Sequence, residues 1–281
     1  MPSSYTRASA AMTRRTWIFV IAVALLVCYA PVVRGMYSQW ISDEDMGHAL
    51  AVPFVIAWVL WRERTNWQRV PARPSGWGLI LLAIGAVLQI GGSIGVGLFV
   101  ASIGLLVSVA GLVVWLHGFG LLRAWAFPFF LALFMLPKLA IVYVQVTFPL
   151  QLFTSKLATA GLAVGGVHVI REGNILDVGG HRISVVEACS GIRYLLSLGF
   201  VAIVFGYVSH PKLWMRVALL VAAVPVAILA NAVRVALTGL IPALDSGVLH
   251  SFAGWLVFVV CLGSLALVRV GLSRGPLKQR A

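Results

Sequence analysis

Three residues in the second half of the chain carry reactive chemistry: Cys189 in "EACSGIR" (187–193), Arg234 in "NAVR" (231–234) and His250 in "HSFAGW" (250–255). A thiolate is a strong nucleophile. An imidazole exchanges protons near neutral pH. A guanidinium stays charged and offers five donors to an oxyanion or a carboxylate. Together these types describe acyl transfer: thiol attack on a carbonyl, proton movement by the imidazole, oxyanion stabilisation by the arginine. Each also has a plainer reading. Cys is among the most buried residue types, a His near a helix start can be merely interfacial, and an Arg near a span end snorkels to lipid headgroups. What decides is whether the chain brings the three to one place.

The elements that would position them are membrane spans. Of 281 residues, 61% are hydrophobic and 10% charged, with a mean hydropathy of +1.00. Soluble domains run near 45–50% apolar and about 25% charged, so the solvent for this chain is lipid. The net charge of +13 does not gather into one patch. The basic residues sit in short clusters between apolar runs, as in the cytoplasmic loops of membrane proteins, and nucleic acid is not an expected partner. Cys28, Cys189 and Cys261 form no CxxC pair, so no disulfide framework is implied.

A helix needs about 20 apolar residues to cross a bilayer. Candidate spans lie near 17–36, 46–61, 76–94, 97–116, 119–137, 190–208, 213–234 and 250–270. The first follows a basic stretch without a clear cleavage site and reads as an uncleaved span. The stretch 139–165 is helical in pattern but carries Gln145, Pro149, Gln151 and Lys156. If it does not cross and the amino terminus is cytoplasmic, 14 of the 21 Lys and Arg residues fall on cytoplasmic segments. If it crosses, the basic 209–216 loop and the tail invert to the outside. The positive-inside rule favours the first arrangement, with 139–165 as a re-entrant or amphipathic helix near the outer face. The expected fold is an all-α polytopic membrane protein of about eight transmembrane helices. A cytoplasmic segment at 1–16 and a basic cytoplasmic tail at 271–281 flank one membrane domain at 17–270.

Between 167 and 186 the composition changes. "VHVIREGNILDVGGHRISVV" alternates β-branched residues with Glu-Gly-Asn and Gly-Gly turn signals. An open sheet edge is too costly in hydrocarbon, so a small β-hairpin element is expected outside the membrane, leading into Cys189. In this topology Cys189 opens an outside-to-inside helix, Arg234 ends the next helix on its way back, and His250 lies in the first turn of the last span. Thiol, guanidinium and imidazole reach one membrane depth, although the topology was built from charge placement alone. A helix amino terminus favours thiolate, Arg193 and Arg234 add to that field, and ionisable groups at membrane depth are functional by default.

The motifs resemble the signatures of the exosortase/archaeosortase family: "EACSGIR", "NAVR" and His250 in "HSFAGW", in that order. "DMGHALAVPFVIAWVLWRER" (45–64) and "FPFFLALFMLPKL" (127–139) are similar to its upstream segments, although Met46-Gly47-His48 departs from a Ser-His-Gly order. The resemblance implies a cysteine protease or transpeptidase of the bacterial inner membrane, its site facing the periplasm. Its substrates would be PEP-CTERM-type proteins, whose sorting signal joins a Pro-Glu-Pro motif to a transmembrane helix and a basic tail. It assigns catalysis to Cys189, Arg234 and His250. The acceptor of the acyl group is open, an exopolysaccharide or lipid-linked group being one class, and no cofactor is implied. Arg193, Glu187 and Asn231 are the candidate substrate-binding residues: Arg193 for the signal's Glu, Glu187 to orient His250 or to pair with Arg193. Strand addition to the β element would dock the extended peptide.

Rival classes remain at this point. A transporter or channel accommodates intramembrane arginines equally well, but needs a polar path where the mid-span positions here are nearly all Leu, Val, Ala and Gly. A metal-dependent protease using His48, His168, His181 or His250 would need an HExxH or a close His pair, and the chain has neither. A membrane acyltransferase using Cys189 or His250 differs from a protease only in its substrate.

Overall fold

The computed structural model describes residues 4–185, 190–209 and 212–274. Within them the chain is mostly helical, and its traces fall into two compact units, residues 1–42 with 49–137 and residues 43–48 with 138–281.

The first unit begins with α1 (Ser4–Ser42), whose apolar part from Phe19 is long enough to span. After the acidic loop come α2 (Val52–Arg62) and the single turn α3 (Arg64–Trp67). A hairpin of spans follows, α4 (Trp77–Gly91) and α5 (Leu98–His117). Gly78 and Gly85 on α4 and Gly92 just after it recur every seven residues. A Cβ built on Gly85 would lie 2.1 Å from Ser108 Oγ and 2.8 Å from the Gly104 carbonyl; one on Gly92 would lie 2.4 Å from the Ala101 nitrogen. Lipid supplies no hydrophobic drive between helices, so close backbone packing through small residues takes its place. Tyr29 fastens α1 to this pair, its hydroxyl donating to the Gly85 carbonyl at 3.0 Å and meeting Ser108 Oγ at 2.8 Å. The unit closes with the short helices α6 (Phe119–Ala124) and α7 (Ala126–Ala132).

The second unit holds α8 (Ala140–Val164), a small sheet, and the spans α9 (Ile192–Ser209), α10 (Leu213–Leu240) and α11 (Gly247–Arg274). The sheet is an antiparallel meander, β1 (Val169–Glu172), β2 (Ile175–Val178) and β3 (His181–Ser184), in the order β1-β2-β3. Its registers Glu172↔Ile175 and Val178↔His181 leave two-residue turns. Gly179 and Gly180 both have positive φ, 60° and 91°, the backbone that a tight hairpin demands and that glycine adopts without penalty. The sequence predicts one hairpin here; the structure has two, sharing β2. Leu176, Ile183 and Val185 bury against Ala158 of α8 and Val235 of α10, so this sheet has its own core.

Two of the expected eight spans do not form as single helices. The described residues contain six helices long and apolar enough to cross, or seven if one bent pair counts as a span. The candidate at 46–61 starts as a tight 3₁₀ helix, Glu44–Leu50, and continues only as the 11-residue α2. At 1.5 Å per residue α2 covers about 16 Å, half of a hydrocarbon core near 30 Å. The candidate at 119–137 breaks into α6, α7 and a 3₁₀ turn, Leu133–Met135. The run is interrupted at Trp125, with φ −94° and ψ 11°, and Pro137 ends it: the residue before a proline is driven to extended backbone, and Leu136 has ψ 137°.

Candidate functional site

On α10 the buried positions Ala227, Asn231, Arg234, Val235 and Thr238 form one stripe, spaced three and four apart as one helix face requires. Arg234 therefore points into protein and not to lipid. Its guanidinium carbon lies 5.8 Å from the centre of the Tyr194 ring on α9, and the Tyr194 hydroxyl donates to the Gly254 carbonyl on α11 at 3.2 Å. A Cβ on Gly254 would lie 3.2 Å from that hydroxyl and 3.5 Å from Arg234 Nη2. Glycine at 254 makes the room that the guanidinium occupies.

His250, in the first turn of α11, meets Arg234 Nη2 through Nε2 at 2.7 Å, and its Nδ1 lies 2.8 Å from the Leu244 carbonyl. These partners fix the tautomer. A guanidinium only donates and a carbonyl only accepts, so Nδ1 carries the proton and Nε2 presents its lone pair. Arg234 Nη1 is buried and has no acceptor among the described residues. The pair thus combines a basic nitrogen held in one orientation with a buried cationic donor still to be matched.

The third element comes from the start of α9. Ser190 is buried; its carbonyl accepts from Thr154 Oγ1 of α8 at 3.3 Å, and its own Oγ accepts from the Ile192 N–H at 3.3 Å. Gly191 has φ +88°, and a Cβ there would stand 3.0 Å from Asn231 Nδ2. The Ser190-Gly191 turn is seated directly on the side chain that lies three residues before Arg234. On the other side, Val185 donates its N–H to the Asn174 carbonyl at 2.8 Å and accepts from Asn174 Nδ2 at 3.1 Å. Cys189 and Glu187 lie outside the described residues. The chain on either side of them is held, by Asn174 at Val185 and by Thr154 and Asn231 at Ser190-Gly191. The helix opens at Ile192, three residues later than a start at Cys189 would have it.

Of the sequence candidates, Arg234 and His250 are brought into direct contact and Asn231 supports the turn beside them. Arg193 is engaged elsewhere. Its Nη2 donates to Glu44 and its Nε approaches Asp45 Oδ1 at 3.4 Å. Asp45 is buried and also accepts from the Tyr143 hydroxyl and from Lys138 Nζ at 3.3 Å, while Lys138 pairs with Asp43 at 2.6 Å. His48 stacks at a tilt on Phe200, ring centres 6.5 Å apart. Sequence reasoning passed over Asp45, Tyr143, Lys138, Thr154 and Asn174. One signal was present: "DED" at 43–45 holds three of only 8 acidic residues in the chain, and such residues are rare in membrane proteins unless paired. Of the residues that set 139–165 apart, Gln151 is buried, on one face of α8 with Thr154 and Ser155, while Gln145, Pro149 and Lys156 are exposed.

No curated protein and no solved structure matches the chain. A sequence model described as transmembrane exosortase matches residues 40–267, most of the chain, including all three motifs. This protein belongs to the transmembrane exosortase family.

Proposed function

We propose that this chain is a membrane-embedded cysteine protease or transpeptidase of the bacterial inner membrane. It would cut carboxyl-terminal Pro-Glu-Pro sorting signals of exported proteins from the periplasmic side, with Cys189 as nucleophile. The observation that carries the reading is the Arg234–His250 contact beside the anchored Ser190-Gly191 turn. A lipid-exposed structural arginine would snorkel to headgroups; this one is buried among three helices with a donor unmatched among the described residues.

The chemistry follows from the tautomer. Arg234 Nη2 first releases the Nε2 lone pair that it occupies in the resting site, turning to the scissile carbonyl oxygen, and Nε2 of His250 then takes the proton from the Cys189 thiol. The thiolate attacks the scissile carbonyl carbon, and its oxygen becomes an oxyanion facing the Arg234 guanidinium. Low dielectric and fixed donors make such an interaction strong. Collapse breaks the C–N bond, the leaving amine takes the proton from Nε2, and a Cys189 thioester remains. Water, or an amine or hydroxyl of a glycan or lipid-linked acceptor, then attacks the thioester and releases the thiol. The unpaired edge of β3, which runs into Val185, offers backbone groups for strand addition of the extended signal.

The test is co-expression with a Pro-Glu-Pro-tagged exported protein, comparing wild type with Cys189→Ala. Signal removal by the wild type alone is expected, with a hydroxylamine-sensitive thioester trapped on it. Equal processing in both strains would sink the assignment.

A further inference from the structure

Arg193 is held by two carboxylates of opposite character. Asp45 is 7% exposed and is shared with Lys138 and Tyr143, so it is fixed from three sides. Glu44 is 74% exposed and meets only Arg193 among its described contacts. Both acidic residues lie in one 3₁₀ helix, Glu44–Leu50, so the anchored Asp45 keeps its neighbour within reach of the guanidinium. Arg193 is the second residue of α9, and Tyr194, which follows it, carries Arg234 on its ring face. Successive residues leave a helix about 100° apart, so Arg193 projects from the same turn as the site floor in a different direction.

A guanidinium offers two edges to carboxylates. Here Nε goes to a buried, multiply held carboxylate and Nη2 to an exposed one. Exposed ion pairs bias an equilibrium by no more than about fivefold, so the outer carboxylate is replaceable and the inner one is not. Resting on the cysteine-protease reading above, we propose that Arg193 reads the carboxylate of the substrate's signal, with Asp45 as its positioning residue. Glu44 is an internal competitor that the signal's carboxylate displaces. Glu44 sets how strongly the signal must bind to be engaged.

The experiment uses the full-length chain in detergent and two synthetic signals, one with Pro-Glu-Pro and one with Pro-Gln-Pro. Cleavage gives KM and kcat for wild type, Glu44→Gln and Arg193→Gln; the Cys189→Ala background gives peptide affinity without turnover. Glu44→Gln, on an exposed side chain, is expected to lower KM and Kd for the Pro-Glu-Pro signal about two- to fivefold with kcat unchanged, and to leave the Pro-Gln-Pro signal unaffected. Arg193→Gln is expected to erase the preference for Glu over Gln. Unchanged KM and Kd in Glu44→Gln would overturn the proposal, as would an intact Glu preference in Arg193→Gln. Should Arg193→Gln fail to fold, the Glu44→Gln constants decide alone. If wild type neither cleaves nor binds the Pro-Glu-Pro signal, the proposed function fails. If it does both and Glu44→Gln matches it, only this inference fails.

Discussion

Arg234 and His250 are 16 residues apart in sequence and 2.7 Å apart in space, the guanidinium donating to the imidazole Nε2. The contact does two things at once. It occupies the lone pair of Nε2, while the Leu244 carbonyl accepts from Nδ1–H. It also sets a buried positive charge beside the imidazole, which in the proposed mechanism would face the oxyanion. A single ammonium cannot serve both directions.

Arg234→Lys should therefore keep the charge and lose the fork. Lysine can meet Nε2 or the direction of Nη1, and it lacks the planar pair of donors. Signal-cleavage kcat is expected to fall about 10²- to 10³-fold, the cost of removing one oxyanion donor. Thermal unfolding of the detergent-solubilised protein separates this from misfolding. A folded Arg234→Lys variant within tenfold of wild type would remove the arginine from the oxyanion role.

The Ser190-Gly191 turn gives a second prediction, about fit. Gly191→Ala meets two obstacles, a left-handed φ of +88° and a Cβ 3.0–3.2 Å from Asn231 side-chain atoms. A left-handed residue other than glycine costs roughly 1–2 kcal/mol, and the contact adds to it because a buried Asn has little room to withdraw. The midpoint of thermal unfolding should drop, and cleavage should fall with it. Asn231→Ala combined with Gly191→Ala should recover part of the stability by relieving the contact while the backbone strain stays. A Gly191→Ala variant as stable and active as wild type would mean that the turn is not seated as described.

Much of the site was legible because its members are the wrong residues for lipid. Arg234 and His250 stand out in apolar runs, and charge placement alone predicts that their helices present them on one side. The β segment was legible too, from Gly179-Gly180 and the β-branched residues around it. The supports were not. Thr154 holds Ser190 from 36 residues away, and nothing in "LQLFTSKLA" says which helix its hydroxyl will face. Arg193 was read as waiting for a substrate, because sequence does not show that Glu44 and Asp45, almost 150 residues upstream, reach it. The span count was too high for a related reason. Hydropathy averages over a window, whereas α2 stops after 11 residues and the 119–137 run is interrupted locally at Trp125.

The last prediction concerns the other end of the undescribed segment. Val185 is tied to Asn174 twice, by a backbone bond of 2.8 Å and a side-chain bond of 3.1 Å. Asn174→Ala keeps the first and removes the second, leaving the Val185 carbonyl short of a partner. A lost bond of this kind costs about 1 kcal/mol, or roughly 2–4 °C in a chain of this size. Because Val185 leads directly towards Cys189, the catalytic effect should exceed the stability effect, with kcat/KM falling several-fold. Asn174→Asp is the sharper variant. It preserves size but turns a carboxylate oxygen towards the Val185 carbonyl, acceptor against acceptor, and should be worse than alanine on both measures. If Asp and Ala are equally harmless to cleavage, the Asn174 tether does not position the nucleophile.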